Sequence, residues 1–466
     1  MGVAVIVGVL LAELLVLGFW TFRRGVNADE GFYLAASRHV SEGRRLYEDV
    51  FFPQMPYLPW LQSTLFAAAA GSLAFGRALS VAAAVLAAGL LTGIAWHRTH
   101  DAAAAGFIAT LYVFSAVLLN GLSIAKNFAW PNLCLLAAFA PFAVGLARRP
   151  AWAFAAGLAM AAAVGFRLAV APVAIVLALW AWRFSPRVLA GFVAGATAGS
   201  LPWLIVAARS PGEFWFCNVT FHAMRREISG IGPIMAQKLS VAGKWILLPQ
   251  HLILWGLAAL GLWREPGRAW PAAACTAVLL VSSAAATPTY LEYMSQFVPF
   301  LLLTALPAII WLVRSRAAAA AVLGLYLLGL YPALKSAASD EELADKRALW
   351  QLGTVRGVST YLRAHTPADV PVLSWWEGYP VLSDRPGYIG VGFWESNVAK
   401  KLAPDAAHRH HVLQQEDVRG LIDRREPSAV VVPDGTWEAL RAAILAGYQP
   451  AARVGAVQIY LRTGSS

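Results

Sequence analysis

The sequence predicts an α-helical polytopic membrane protein with a small extracytoplasmic α/β domain at its C-terminal end. Apolar residues make up 59% of the 466 residues and charged residues only 14%, against about 45–50% and about 25% in soluble proteins. Apolar runs of about 18 residues recur through the first two thirds of the chain, long enough to cross about 30 Å of hydrocarbon as helices. So few charges could not cover the surface of a soluble globule, which excludes that class.

Eleven apolar runs are candidate transmembrane helices. The first, at 2–22, has no basic segment before it and no small-residue cleavage pattern, so we interpret it as a retained helix rather than a signal peptide. The others lie at 77–96, 102–120, 129–147, 151–166, 168–183, 188–207, 245–263, 269–286, 294–313 and 317–334. We therefore expect residues 1–334 to form a transmembrane domain.

The positive charge belongs to this membrane part. The chain carries 37 Lys and Arg against 26 Asp and Glu, a net charge of +11. Residues 335–466 contain 15 basic and 15 acidic residues, so the whole excess (22 − 11) lies in residues 1–334. This distribution argues against a nucleic-acid partner and for charge-sorted membrane topology.

Basic residues sort the connections between the runs by side. Nine lie in alternate short connections, which we expect to be cytoplasmic: Arg98, Arg148, Arg149, Arg183, Arg187, Arg264, Arg268, Arg314 and Arg316. The intervening short connections carry only Lys126 and Arg167, so the tail falls on the outer side. The segment 57–75 either spans the membrane or lies flat on the outer face, and the two alternatives place the N-terminus on opposite sides.

The tail, 335–466, alternates helical and β patterns, which predicts a small α/β domain. Helical stretches are expected at 341–365, 415–424 and 436–445. Strands are expected at 370–376, 429–432 and 457–461.

Carboxylates are scarce in the membrane part, and five of its eleven lie in the loop 23–76. Asp29 and Glu30 are adjacent and follow the membrane end of the first helix, where a general base serving substrates at the lipid interface is expected. Alternatively, the pair caps a helix that starts near Gly31, favoured by the positive end of the helix dipole. The dipeptide alone does not separate these interpretations.

The residues around the pair resemble a known family. Segments 27–33 (NADEGFY) and 46–56 (LYEDVFFPQMP), followed by 75–79 (FGRAL), are similar to the first outer loop of the GT-C glycosyltransferases. The resemblance is strongest to the bacterial branch with the family 39 protein mannosyltransferases and the lipid A aminoarabinose transferase. It extends over most of the chain in hydropathy and order, including Leu201-Pro202-Trp203 before a large outer loop.

The resemblance implies a bacterial inner-membrane enzyme that moves a hexosyl or pentosyl group from a polyprenyl phosphate donor to a lipid, glycan or protein hydroxyl outside the cytoplasm. Asp29 matches the catalytic acidic position of the family, and Glu30 is its neighbour. A single displacement assisted by this base would invert the anomeric centre. In the family this loop is extracytoplasmic and the following segment lies on the outer face, which implies a cytoplasmic N-terminus.

Two departures from the family matter. Many relatives have His-Pro-Pro where this chain has Gln54-Met55-Pro56. Relatives often carry another acid in the next outer loop, but the stretch 123–128 (SIAKNF) has none. This disfavours a two-carboxylate metal site, although it leaves a divalent metal open. No cofactor is firmly implied.

Two basic residues are candidates for the donor phosphate. Lys126 and Arg167 lie at outer turns, where a cation stabilises a leaving phosphate. For both, snorkelling to the interface is an alternative of similar weight. Further candidates to line the cavity are Tyr57, Asn127, His222, Tyr290, Glu292 and Tyr293.

Other features are weaker as functional signals. His408-Arg409-His410-His411 is more typical of a solvated helix face than of a metal site. Trp375-Trp376-Glu377 could meet sugar or lipid, but tryptophans at the end of a β run more often belong to a core. A transporter or channel, and a non-catalytic membrane assembly protein of the cell envelope, are the alternative functions.

Overall fold

The computed structural model describes residues 2–69, 73–340 and 348–464, without the side chains of residues 2, 65–69, 226–229 and 336–340. These residues divide into two compact units. The first comprises 1–22, 77–208 and 229–342, and the second comprises 23–76, 209–228 and 343–466. The loop 23–76 thus belongs to the same compact unit as the tail, because its helix packs on tail residues. The linear division of the chain at 334/335 stays a prediction.

The first unit is all helical. Its helices are Gly2–Arg23, Leu73–Thr99, Ala102–Val113, Ala116–Gly121, Ala129–Ala143, Pro150–Phe166, Val173–Phe184, Pro186–Arg209, Ile231–Leu247, Pro249–Arg264, Pro266–Ala285, Val298–Leu312, Arg316–Leu328 and Leu330–Asp340. Among the residues that the structure describes, five helices are long and apolar enough to cross a membrane, or six if the pair Ile231–Leu247 and Pro249–Arg264, bent by 69°, is one span. Five further apolar helices in this described part are shorter. The expected helical multi-pass membrane fold is confirmed, while the number of eleven spans stays a prediction.

Small residues allow close helix packing in this unit. A Cβ on Gly157 would lie 2.1 Å from the Phe192 carbonyl oxygen, and one on Gly195 would lie 2.0 Å from the Phe154 carbonyl oxygen. Glycine is therefore required where helices Pro150–Phe166 and Pro186–Arg209 cross, as is usual for membrane helices that approach closely.

One predicted run, 102–120, is broken. The helix ends at Val113 and resumes at Ala116, which leaves backbone groups without helical partners. Gln250 satisfies them: its Nε2 donates to the Phe114 carbonyl at 2.8 Å and its Oε1 accepts from the Ala116 N–H at 3.0 Å. A buried side-chain amide thereby makes the break tolerable at membrane depth.

The second unit contains the predicted α/β fold. Its four-stranded sheet has the order β1-β2-β4-β3 and consists of β1 (Val372–Ser374), β2 (Ala429–Pro433), β3 (Tyr448–Val454) and β4 (Val457–Arg462). β1 and β2 are parallel, with Leu373 opposite Val430, and the other neighbours are antiparallel. The helices are Ala28–Ser41, Tyr57–Ala69, Pro211–Trp215, Phe221–Ser229, Leu352–His365, Gly378–Leu382, Asn397–Lys401, Pro404–Arg409, Gln415–Asp423 and Arg441–Gly447. A π-helix spans Phe216–Thr220.

The differences from the predicted elements have simple causes. Of the helix expected at 341–365, the part before residue 348 lies outside the described residues, and the rest begins at Leu352. The helix expected at 436–445 consists of a short 3-10 turn, Glu438–Leu440, followed by Arg441–Gly447. β3 was not predicted, because Gln449 and Pro450 give it no apolar alternation. Most of the segment 208–244, which the sequence predicts to be a large outer loop, is helical.

Candidate active site

Asp29 lies in the first turn of the helix Ala28–Ser41. Hydrogen bonds of the neighbouring residues Asn27 and Glu30 fix the start of this helix. The Asn27 side chain accepts a hydrogen bond from the Asp29 N–H at 3.1 Å, and Glu30 Oε2 accepts one from the Asn27 N–H at 2.8 Å. Glu30 is fully buried. Glu30 therefore caps the helix through a capping box with Asn27. Asp29 lies in the first turn, where the positive end of the helix dipole favours its carboxylate, and its role as a general base stays a prediction.

Residues of the tail hold this helix start in place. The Trp376 indole N–H donates to the Ala28 carbonyl at 2.7 Å, and the Trp350 carbonyl accepts from the Val26 N–H at 2.7 Å. Gly31 is required here because a Cβ would lie 2.5 Å from two atoms of the Trp376 ring. The backbone just before Asp29 is thus bonded to residues about 320 to 350 positions later in the chain.

Asp29 lines a cavity of about 260 Å³. Its walls consist mainly of aromatic rings, with a few charged or ionisable groups among them. The rings are Phe32, Tyr33, Phe221, Trp350, Trp375, Trp376, Phe393 and Trp394, and the ionisable groups are Asp29, His222, Arg225, Glu377 and Glu395. Aromatic walls with a few fixed polar groups are typical of small-molecule sites.

Glu377 is a cavity residue with a shifted pKa. Burial raises the pKa of its carboxyl to about 7, although a hydrogen bond from the Gly392 N–H to Oε1, at 3.1 Å, lowers it. Glu377 also lines a smaller neighbouring cavity, whose charged residues and histidine are Arg38, His39, Glu42, Arg44 and Arg385. A carboxyl that lines a cavity and has a shifted pKa is a candidate for a functional site.

The loop 46–56 forms one side of the cavity through its backbone. The Tyr47 hydroxyl donates to the Gln54 carbonyl at 2.6 Å, and His222 Nε2 lies 3.0 Å from the Pro53 carbonyl, a donor distance when that nitrogen carries the proton. The sequence-predicted His222 therefore lies in the Asp29 cavity. His222 also places an imidazole next to Gln54-Met55-Pro56, the segment at which the resembling family often has a histidine.

A second polar cluster lies in the helical unit. Lys126 Nζ and Glu292 Oε1 form an ion pair at 2.7 Å, and their side chains are only 10% and 11% exposed. Glu292 thus brings a carboxylate to the segment 123–128, which has none of its own. A buried pair with so little exposure does not fit simple snorkelling of Lys126 into the solvent.

Arg167 completes this cluster. Its guanidinium carbon contacts two rings, 4.7 Å from the centroid of Phe128 and 4.6 Å from that of Tyr293. Its Nη1 donates to Asn127 Oδ1 at 3.3 Å. The hydrogen bond and the two cation–π contacts together hold the guanidinium in place.

The remaining predicted residues have clear contacts. The Tyr290 ring packs edge-on against Tyr293, so it belongs to the Lys126 cluster. The Tyr57 ring packs on Trp60 in the unit that contains Asp29. The candidates therefore form two groups in different units: Asp29, Glu30, His222 and Tyr57 in one, and Lys126, Asn127, Arg167, Tyr290, Glu292 and Tyr293 in the other.

The histidine-rich segment makes pairwise contacts. His408 bonds Asp417 at 2.9 Å, and His410 bonds Glu213 and stacks on the Phe216 ring. Within the described ranges, no group of three or more His, Cys, Asp or Glu side chains is arranged to hold a metal ion.

Sequence reasoning missed the contribution of the tail to the cavity. It mentioned Trp376 and Glu377 but assigned the tryptophans to a core, and it did not consider Glu395. Trp376 is in fact buried, yet its ring lines the cavity and bonds next to Asp29. The sequence offered one signal for this role of the tail: Glu377 directly follows two tryptophans. A charge in such apolar surroundings needs a partner or a function.

Comparisons with known proteins identify the fold. No family model matches the chain, and no curated protein matches it in sequence. Among solved structures, ArnT from Cupriavidus metallidurans bound to undecaprenyl phosphate has a TM-score of 0.72 at 16% identity, covering 99% of this chain and 98% of that one. The apo form of ArnT gives 0.71 at 15% identity, with 97% of each chain covered.

The oligosaccharyltransferase from Archaeoglobus fulgidus in the apo form has a TM-score of 0.55 at 13% identity, covering 100% of this chain and 75% of that one. ArnT and this oligosaccharyltransferase are GT-C superfamily members. The fold implied by residues 27–79 is thereby confirmed: the chain has the GT-C membrane fold.

Proposed function

We propose that this protein is a glycosyltransferase that moves a sugar from a polyprenyl phosphate donor to a hydroxyl of an extracytoplasmic acceptor. The observation that carries the proposal is Asp29, fixed at a capped helix start and lining an aromatic cavity of about 260 Å³. The shared fold supports the donor class, because ArnT has been crystallised with undecaprenyl phosphate and the archaeal oligosaccharyltransferase with dolichol-phosphate.

Asp29 is the proposed general base. It takes the proton of the acceptor hydroxyl as that oxygen bonds to the anomeric carbon, while the bond from the anomeric carbon to the phosphate oxygen breaks. The polyprenyl phosphate leaves as an anion. Because the acceptor attacks opposite the leaving group in one displacement, the anomeric configuration inverts.

Glu30 positions Asp29 rather than reacting. Its carboxylate accepts the Asn27 N–H, so it holds the turn that sets the direction of the Asp29 side chain. A base must lie within hydrogen-bond reach of the proton it abstracts, and small displacements of a catalytic group are costly in rate.

Lys126 and Arg167 are the proposed phosphate ligands. An ammonium carries three N–H donors and a guanidinium five, which suits both side chains to the oxygens of a phosphate. Lys126, Arg167 and Glu292 together carry one net positive charge. This charge favours an anion, and Glu292 keeps Lys126 extended and ordered before the donor arrives.

The cellular placement and sugar class are also proposals. Nine basic residues in alternate connections support an outer tail, and the resemblance of residues 27–79 to the GT-C family supports a cytoplasmic N-terminus in a bacterial inner membrane. The transferred group is proposed to be a hexosyl or pentosyl unit, and the acceptor to be a lipid, glycan or protein.

A donor panel tests the proposal. Purified protein in proteoliposomes would be incubated with undecaprenyl phosphate linked to labelled glucose, mannose, galactose, arabinose or 4-amino-4-deoxyarabinose, together with a membrane and envelope extract as acceptor. We expect label transfer and release of undecaprenyl phosphate with one of these donors, and an inverted anomeric centre in the product. If none of these donors releases undecaprenyl phosphate, the proposed function is contradicted. A retained anomeric configuration in the product would contradict the single-displacement mechanism.

A further inference from the structure

We propose that Glu377 binds a hydroxyl group of a sugar ring that occupies the Asp29 cavity, which makes the tail domain a contributor to substrate specificity. This inference rests on the proposed function. It concerns a residue of the tail that the family resemblance at residues 27–79 does not cover.

The first argument is the position of Glu377. It follows Trp376, whose indole bonds the Ala28 carbonyl next to Asp29, and it precedes the helix Gly378–Leu382, which packs on the helix that carries Asp29. Glu377 and Asp29 consequently line the same cavity from opposite ends of the chain. A ligand that presents a hydroxyl to Asp29 therefore occupies a cavity whose wall includes Glu377.

The second argument is that the Glu377 carboxyl is fixed. Oε1 accepts the Gly392 N–H at 3.1 Å, and a Cβ at position 392 would lie 2.9 Å from that oxygen. The backbone is this close because residue 392 is glycine. One carboxyl oxygen is thereby anchored, so the group does not need to be ordered when a ligand binds, which reduces the entropic cost of binding.

The third argument is the chemistry of the surrounding wall. The Trp375 indole N–H donates to Glu395 Oε2 at 2.9 Å, so a second carboxylate is fixed beside an aromatic ring. Trp350 and Trp375 lie with ring centroids 5.9 Å apart, and both line the cavity. A sugar ring has apolar C–H faces, which pack on aromatic rings, and peripheral hydroxyls, which bond carboxylates. This wall offers both kinds of contact.

The protonation of Glu377 suits this role. Burial raises the pKa of its carboxyl to about 7. Near neutral pH the group therefore exists in both forms, and either form can bond a hydroxyl, which donates as well as accepts.

The cavity could hold the sugar of the donor or a sugar of the acceptor, and a binding experiment separates them. Affinities would be measured by native mass spectrometry for bare undecaprenyl phosphate and for the undecaprenyl phosphoglycoside that the wild-type protein turns over. KM would be measured for the acceptor fraction that the same assay identifies. The variants are Glu377→Gln and, as matched control, Glu438→Gln, whose carboxylate is 60% exposed in an ion pair with Arg441.

For a donor sugar, Glu377→Gln should weaken binding of the phosphoglycoside by up to about tenfold, because a neutral amide replaces the charged acceptor, and leave bare undecaprenyl phosphate unchanged. For an acceptor sugar, donor affinities should stay constant and the acceptor KM should rise by a similar factor. Either result supports the proposal, and Glu438→Gln should match the wild type throughout.

A folded, active Glu377→Gln protein with unchanged donor affinity and unchanged acceptor KM would overturn the inference. If this variant does not fold, Gly392→Ala serves instead, because its Cβ displaces the Glu377 carboxyl without removing it and should produce the same selective loss. Failure of the wild-type protein to bind or use any phosphoglycoside would instead count against the proposed function.

Discussion

The contact between Gly31 and Trp376 gives a quantitative prediction about how the tail positions Asp29. In Gly31→Ala, the new Cβ would lie 2.5 Å from two atoms of the indole and 2.7 Å from the Gly378 backbone nitrogen. Ordinary contact begins near 3.4 Å, so the indole must move by about 0.9 Å. A shift of that size breaks its 2.7 Å hydrogen bond to the Ala28 carbonyl.

The free-energy cost follows from these two effects. Overpacking typically costs about 1–3 kcal/mol, and a lost hydrogen bond costs about 1 kcal/mol, while alanine gains up to about 1 kcal/mol of helix propensity over glycine. We expect a net destabilisation of about 1–3 kcal/mol. A catalytic group misplaced by about 1 Å can lose about 10²-fold in rate, so transfer should fall steeply.

The control is Gly353→Ala, in the helix Leu352–His365, where a Cβ would meet nothing within 4 Å. It gains the same helix propensity without the clash, and should be as stable as the wild type or slightly more so. Thermal unfolding in detergent and the transfer rate would be measured for both variants. Equal stability and equal activity of the two would refute the positioning role of Trp376.

Trp376→Phe keeps an aromatic ring but removes the indole N–H, so we expect about 1 kcal/mol of lost stability. We also expect a lower kcat, measured by steady-state kinetics, and an unchanged affinity for undecaprenyl phosphate, measured by native mass spectrometry. Glu377→Gln should also change how stability depends on pH. The folded-state pKa of Glu377, about 7, lies above the ordinary value of 4.5 for a glutamate, so the wild-type free energy of unfolding should fall as pH rises from 4.5 to about 7, by at most about 3 kcal/mol. Thermal unfolding at pH 5 and pH 8 should show this loss in the wild type and a smaller loss in Glu377→Gln; equal losses would contradict burial as the cause. Arg167→Lys retains the charge but not the planar fork, and we expect about tenfold weaker binding of undecaprenyl phosphate by native mass spectrometry, with full affinity counting against a phosphate role.

Local patterns predicted much of the fold. Hydropathy located the helices of the membrane part, and β alternation located β1, β2 and β4. It missed β3, because Gln449 and Pro450 interrupt the alternation in a strand whose pairing partner, β4, follows it directly. The break at 114–115 was also missed, since Gln250 stabilises it from 134 positions away in the sequence.

The candidate site was predicted only where its residues are close in sequence. Asp29 and Glu30 stand out because acids are scarce and because their segment resembles a family. The pairing of Lys126 with Glu292 joins residues 166 positions apart, and the contact of Trp376 with Ala28 spans 348 positions. Tertiary folding creates such contacts, and the sequence pattern around each residue carries no trace of them.

The most direct test of the account is sugar transfer by Asp29→Asn. Asparagine has nearly the same shape as aspartate but cannot take a proton, so the loss of a general base should slow transfer by about 10²–10⁴-fold. Glu42→Gln, which removes a carboxylate just beyond the same helix, is the matched control and should retain activity. Single-turnover transfer from the labelled undecaprenyl phosphoglycoside would be measured at equal amounts of folded protein. The account predicts loss of transfer with retained binding of undecaprenyl phosphate, and full transfer by Asp29→Asn would contradict it.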